Sequence, residues 1–175
     1  NNIISSAQRE HRQIFPRPGW VEHNPEEIWK NTEAIISEAL EKANLSGSDL
    51  SGIGITNQRE TVIAFNPENG KCYHNAIVWQ DLRGSGFIDK LRSEVDESFI
   101  KNHTGLLYSP YFSASKIRWL LDNVPGISEK IRQGKCVFGT IDTYLTYKLT
   151  AGASFITDVT NASRYMLMNI ESLKW

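Results

Sequence analysis

Ile53-Gly54-Ile55-Thr56 runs directly into Asn57-Gln58-Arg59-Glu60-Thr61. The first four residues, short, apolar and glycine-spaced, have the character of a buried strand, and the polar run marks its end. Ligands of α/β folds gather at the carboxyl ends of strands. Arg59 offers a rigid fork of donors and Glu60 only acceptors, so together they can grip a molecule rich in hydroxyls, each of which donates and accepts. Adjacent residues of a regular strand point to opposite faces, so a shared ligand demands a bend or bulge here. The same two residues also read as a surface ion pair at a strand end, a common and weak interaction.

Downstream, residues 61–65 and 71–79 read as a hairpin around Asn66-Pro67-Glu68-Asn69-Gly70, a run of turn residues. Asn75-Ala76-Ile77-Val78-Trp79-Gln80-Asp81 then gives a second strand end. The face of Trp79 can pack on the carbon skeleton of a polyol, or the residue can serve as a core or interface aromatic. Helical spacing follows at Phe87, Ile88, Leu91 and Val95, and again at Ile117, Leu120, Leu121 and Val124, stopped by Pro125-Gly126. Between them, Ser109-Pro110-Tyr111-Phe112-Ser113 places a phenol on a loop, either for a ligand or for structure, and Ser113 reads as a helix cap. A strand at Val137-Phe138 leads into a helix over 140–150 ended by Gly152, and a further strand region is expected to close the chain.

Upstream, residues 1–15 read as extended until Pro16, Pro18 and Gly19 break them. Asn24 as cap, Pro25 at the first helical position and Glu27 in a capping-box-like place open a helix. Ile28, Thr32, Ile35, Ile36, Ala39, Leu40 and Ala43 recur along it, and Ser46-Gly47-Ser48 ends it. Strands alternating with helices make this an α/β domain.

Composition narrows the function. Among 175 residues, 19 basic against 20 acidic side chains leave a net charge of −1. That balance argues against a nucleic-acid or anionic-lipid face. No run of about 20 apolar residues suits a membrane span. Cys72 and Cys136 lie far apart outside any Cys-x-x-Cys pattern and read as reduced thiols of a cytoplasmic protein. Four scattered histidines make no zinc pattern. Gly84-Ser85-Gly86 is no dinucleotide loop, and no Gly-x-x-x-x-Gly-Lys-Ser/Thr phosphate loop is present. Asp142 and Asp158 are candidate metal carboxylates, with capping and turn roles the better reading of each.

Six segments in order then carry a resemblance: Pro18-Gly19-Trp20-Val21-Glu22-His23, Ile55-Thr56-Asn57-Gln58-Arg59-Glu60-Thr61, Asn75-Ala76-Ile77-Val78-Trp79-Gln80, Pro110-Tyr111-Phe112-Ser113, Phe138-Gly139-Thr140-Ile141-Asp142-Thr143 and Thr157-Asp158-Val159-Thr160-Asn161-Ala162-Ser163-Arg164. Across essentially the whole chain the sequence resembles the FGGY carbohydrate kinase family, and within it the members that act on glycerol. The resemblance implies an actin-like, ribonuclease-H-like fold and ATP-dependent phosphorylation of glycerol to sn-glycerol 3-phosphate, with ATP and Mg²⁺ as cofactors. It implies that Arg59, Glu60 and Tyr111 bind glycerol hydroxyls while Trp79 packs on the carbon chain, and that the full-length enzyme is a cytoplasmic homo-oligomer, dimer or tetramer.

The chain departs from the family pattern at Tyr144, where Trp is usual, at Tyr165, where Thr is common, and at Gly84-Ser85-Gly86. None of these touches the proposed glycerol contacts. The resemblance also places an Asp-x-Gly-Thr-Thr-Ser phosphate-binding hairpin before Asn1, and the proton-accepting Asp and adenine site after Trp175. Residues 1–175 are therefore expected to be a partial N-terminal domain without its first strands, holding no cofactor or metal contact of its own and inactive alone. A kinase for a larger polyol or ketose, a non-catalytic interaction module and a nucleic-acid binder are the competing readings.

Overall fold

A computed structural model describes residues 2–175. Its elements, in chain order, are β1 (Glu22–His23), α1 (Pro25–Ala43), β2 (Ile63–Phe65), β3 (Ala76–Ile77), α2 (Ser85–Glu94), α3 (Glu97–Thr104), α4 (Ser113–Asn123), α5 (Ile127–Arg132), β4 (Val137–Gly139), α6 (Ile141–Leu149) and α7 (Val159–Ala162), with one 3-10 turn at Gly47–Asp49.

Alternation along β2 sets the layering, because successive side chains of a strand face opposite ways. Ile63 and Phe65 meet Ile28 of α1 and Ile141, Tyr144, Leu145 and Tyr147 of α6. Val62 and Ala64 meet Leu120 of α4 and Ile127 of α5 on the other face. Helices thus cover both faces of a small sheet, the three-layer arrangement of an α/β domain. A third cluster, Leu106, Phe112 and Met166 with Leu91 and Ile100, forms beside it.

The strands pair antiparallel. Glu22 faces Ile77 and His23 faces Ala76, while Ile63, Ala64 and Phe65 face Gly139, Phe138 and Val137. A Val62–Ile77 bridge joins the two pairs, giving the spatial order β1-β3-β2-β4. The hairpin turn closes as its sequence requires, with the Asn66 amide donating to the Lys71 carbonyl at 2.9 Å and the Gly70 amide to the Asn66 carbonyl at 2.8 Å. Asn24 caps α1 by accepting from the Glu26 amide. Glu27 makes no capping box, because its carboxylate accepts from the Arg12 amide at 3.0 Å. Asn44, in the left-handed region at φ 53°, ends α1 before Ser46-Gly47-Ser48 is reached.

Two expected strands, at 53–56 and at the close of the chain, are corrected, and the extended opening makes one ladder contact. Residues 53–56 form no strand: no backbone hydrogen bond from another described segment reaches them, and Ile53 and Ile55 are 60% and 37% exposed. The apolar run has the right composition but no ladder partner among the described residues. Facing it, Ile36, Ala39, Leu40 and Ala43 of α1 are only half-buried and line a cavity with Ile53. Within 1–15, of which Asn1 lies outside the described residues, only Ile14 bridges a strand residue, Glu22. The rest is tied to α1, with Ser5 Oγ donating to the Ala39 carbonyl at 2.7 Å and Asn31 Nδ2 to the Glu10 carbonyl at 3.0 Å. The expected closing strand is replaced by α7 and an isolated Asn169–Lys174 bridge.

Candidate functional site

The bend demanded between Arg59 and Glu60 exists. Glu60 has φ 62°, a left-handed conformation that costs a side-chain-bearing residue roughly 1–3 kcal/mol and persists only where its surroundings hold it. The turn sends the two side chains different ways, leaving Arg59 exposed and Glu60 2% exposed. A carboxylate taken out of water needs a partner. Arg164 is that partner, its Nε donating to Glu60 Oε1 at 2.6 Å. The Glu60 carbonyl accepts from Ser113 Oγ at 3.3 Å. Ser113 is therefore not the cap of α4; Phe112 holds the cap position and Ser113 begins the helix with its hydroxyl turned to Glu60.

Arg164 also stacks on the loop before α4. Its guanidinium carbon lies 4.8 Å from the Phe112 ring centroid and 5.7 Å from that of Tyr111. Tyr111 in turn meets Trp79, ring centroids 5.5 Å apart at 61°. Glu60, Trp79 and Tyr111 thus belong to one cluster built on three separate segments.

Each segment is held from behind. Trp79 follows β3, its amide donating to Thr61 Oγ1 at 3.3 Å. Two residues on, Asp81 and Glu22 each accept from Arg83 Nη2 at 2.8 Å. The Arg83 guanidinium carbon lies 3.9 Å from the Trp20 ring centroid and 4.6 Å from that of Trp119, two rings that meet edge-on. The Tyr111 loop is fixed by Lys116, whose buried ammonium donates to the carbonyls of Pro110 at 2.9 Å, Tyr111 at 2.6 Å and Phe112 at 3.3 Å. Burial pushes its pKa down to about 7, against the opposing pull of Asp81 and Glu60.

Arg59 stands apart from this cluster. Its Nη1 donates to the Thr160 carbonyl at 3.4 Å, and it borders a polar cavity of about 530 Å³ with Asn57, Asp142, Thr157, Asp158 and Asn161. The carboxylates there are already engaged by protein donors. Asp142 accepts from Thr140 and from Thr157 Oγ1 at 2.7 Å, and from Asn57 Nδ2 at 3.3 Å. Asp158 caps α7, accepting from the Asn161 amide at 2.9 Å. Asp158 takes the capping role the sequence favours, whereas Asp142 does not: it ties the side chains of Thr140, Thr157 and Asn57 together. Among the described residues no group of three His, Cys, Asp or Glu side chains can hold a metal ion.

Two contributors escape the sequence reading. Arg164 closes the Asn-Ala-Ser-Arg segment, but nothing local ties it to Glu60, 104 positions away. Lys116 did leave a signal: it lies four residues before buried Leu120, on the inward face of α4.

The N-terminal domain of the FGGY family of carbohydrate kinases matches residues 1–175. Glycerol kinases of Paraburkholderia phytofirmans and Petrotoga mobilis are each 53% identical to the chain over 174 residues, 99% of its length. The chain spans 35% of each of these curated relatives. Among solved structures, Plasmodium falciparum glycerol kinase with ADP superposes with TM-score 0.90 at 41% identity, covering 95% of this chain and 33% of that one. Xylulose kinase from Rhodospirillum rubrum, at TM-score 0.85 and 23% identity over 98% of this chain and 34% of that one, shares the fold. That fold is the actin-like, ribonuclease-H-like one.

Proposed function

Because the chain belongs to the FGGY family of carbohydrate kinases, we propose that it is the polyol-binding part of an enzyme that phosphorylates glycerol to sn-glycerol 3-phosphate with ATP. The observation that carries this reading is the cluster in which one arginine joins a buried carboxylate to a phenol, and the phenol ring meets an indole. It agrees with the names of the relatives more than half identical to the chain. In this reading Glu60 accepts hydrogen bonds from the hydroxyls, Tyr111 offers a phenol that both donates and accepts, and the indole of Trp79 covers the carbon chain. Arg59, exposed at the surface, exchanges its hydrogen bond to the Thr160 carbonyl for one to a bound hydroxyl.

Phosphoryl transfer needs a phosphate cradle, a metal ion and a proton acceptor besides an oriented alcohol. The described residues do not fit the metal, since Asp142 and Asp158 are each engaged by protein donors and no other cluster of ligands is present among them. We propose that the chain is a partial N-terminal domain and that nucleotide and Mg²⁺ are bound by residues outside it, which accords with its span of about a third of the curated relatives. No helix among the described residues is long and apolar enough to cross a membrane, and Cys72 and Cys136 are free thiols. Both fit a cytoplasmic enzyme.

The test is glycerol-dependent ADP release by the full-length protein, with xylulose, gluconate and ribitol assayed in parallel. Turnover on glycerol at a kcat/KM well above the other three supports the reading. Turnover on one of the others without glycerol turnover assigns the site to a larger substrate, and no turnover on any overturns the assignment as a kinase.

A further inference from the structure

We infer that Arg164 is a positioning residue of the polyol site, coupling the Glu60 carboxylate to the Tyr111–Phe112 loop so that the hydroxyl acceptor and the aromatic wall keep one fixed separation. The inference rests on the function proposed above and adds a residue with a defined role.

Three observations converge on it. The first is the state of Glu60. Its backbone is in the left-handed region and its side chain is 2% exposed, so neither backbone preference nor solvent orients the carboxylate. The Arg164 Nε hydrogen bond at 2.6 Å does so, and it takes only Oε1. A guanidinium is a planar fork, and a bond through Nε fixes its plane as well as its distance.

The second is what lies beside that guanidinium. The Phe112 and Tyr111 rings sit 4.8 and 5.7 Å from the same guanidinium carbon, within the range of cation–π attraction. One group therefore contacts both the acceptor and the wall. A lysine placed there would keep the charge but lose the Nε donor through which the group holds the carboxylate while it meets the rings.

The third is the main chain. The Ser113 amide donates to the Arg164 carbonyl at 3.4 Å and the Ala114 amide to the Tyr165 carbonyl at 2.9 Å. The segment bearing Arg164 is thereby pinned to the start of α4, directly after the Tyr111 loop. Its side chain is still 27% exposed, so replacing it opens no cavity in the core.

The experiment uses the full-length protein with Arg164→Gln, Arg164→Lys, Glu60→Gln and the Arg164→Gln/Glu60→Gln pair. KM and kcat for glycerol are measured together with the melting temperature. Arg164→Gln is expected to raise KM about 10-fold or more, the loss of one hydrogen bond to a charged group, while kcat falls less than about threefold. Arg164→Lys should recover part of the KM. In the Glu60→Gln background Arg164→Gln should add under about twofold, because residues acting through one another are not additive. An unchanged KM for Arg164→Gln overturns the inference, as does a KM effect that multiplies fully with that of Glu60→Gln. Equal loss of activity and melting temperature with KM intact would make Arg164 a stability residue only. Wild-type protein that does not turn over glycerol fails at the earlier step, the proposed function, and this inference falls with it.

Discussion

The ring of Tyr111 stands edge-on to the indole of Trp79, centroids 5.5 Å apart at 61°, one presented by the end of β3 and the other by the loop before α4. Neither is sealed into the core; both remain half-buried. A wall of two crossed aromatics with a carboxylate beside it suits a small molecule that is carbon on one side and hydroxyl on the other.

If Trp79 covers the carbon chain, its fluorescence reports the ligand. The other tryptophans have other work. Trp20 and Trp119 pack against Arg83, and Trp175 packs on Tyr165 with centroids 5.3 Å apart. Stripping them to leave Trp79 alone would damage the scaffold, so the informative variant is Trp79→Phe. The glycerol-induced emission change of the full-length protein is expected to vanish in that variant. A response of undiminished amplitude, with binding verified by calorimetry, would return Trp79 to a structural role.

Arg59 is exposed and makes one long hydrogen bond, 3.4 Å to the Thr160 carbonyl. Arg59→Ala should leave the melting temperature within about 2 °C, as surface changes of under about 0.5 kcal/mol do. Its kcat/KM for glycerol should fall roughly 10- to 150-fold, the equivalent of about 1.5–3 kcal/mol for a hydrogen bond involving a charged group. Unchanged kinetics would confine Arg59 to the polar cavity beside it.

Gly84 answers a different need. Its φ is −78°, so conformational freedom is not the reason for glycine there. A Cβ at this position would lie 2.5 Å from Ser115 Oγ and 2.6 Å from Ser115 Cβ, where the start of α2 crosses α4. Gly84→Ala should destabilise by about 1–3 kcal/mol through overpacking. Ser115 Oγ also donates to the Pro110 and Phe112 carbonyls at 3.0 and 3.2 Å, so the displaced helix should raise the glycerol KM as well. Adding Ser115→Gly should restore part of the lost stability in denaturant melts. No rescue would place the strain elsewhere.

Legibility of the chain in its sequence followed the range of the interactions. The start of α1 and the turn at 66–70 were readable because caps and turns are local, and α2 and α4 because their apolar spacing is. Residues 53–56 read as a strand by composition, yet a strand also needs a neighbour, and no described segment supplies one. At the site, Glu60, Trp79 and Tyr111 were named together by the resemblance, since by side-chain chemistry alone each read equally well as structural, and the bend expected to bring Arg59 and Glu60 to one ligand turns their side chains apart. Arg164 was not legible, because its meaning lies in contacts with Glu60 and Phe112 that no sequence spacing encodes. Short α3 and α5 also passed unread, each having too few turns to show a period.

Lys116 gives the protein a stability that depends on pH, with a sign that can be fixed in advance. Its pKa is pushed down to about 7 by burial, while in the unfolded chain it returns to the ordinary lysine value near 10.4. Between these values the unfolded state holds a proton that the native state lacks, so stability rises with pH, by at most about 1.4 kcal/mol per pH unit. Below about pH 7 both states are protonated and the slope from Lys116 disappears. Other groups bound the window. His23, lowered to about 4 by burial, contributes a rising slope only up to its unfolded value near 6.5. Cys72 and Cys136, raised to about 11, give a falling slope once unfolded thiols ionise near 8.5. Denaturant melts of the full-length protein between pH 7 and 8.5 should therefore show rising stability in the wild type. Lys116→Met, which leaves three carbonyls without their donor, should be less stable throughout and flat across the same window. An equal slope in both proteins would mean that the ammonium keeps its proton in the native state, the three carbonyl hydrogen bonds having outweighed the loss of water.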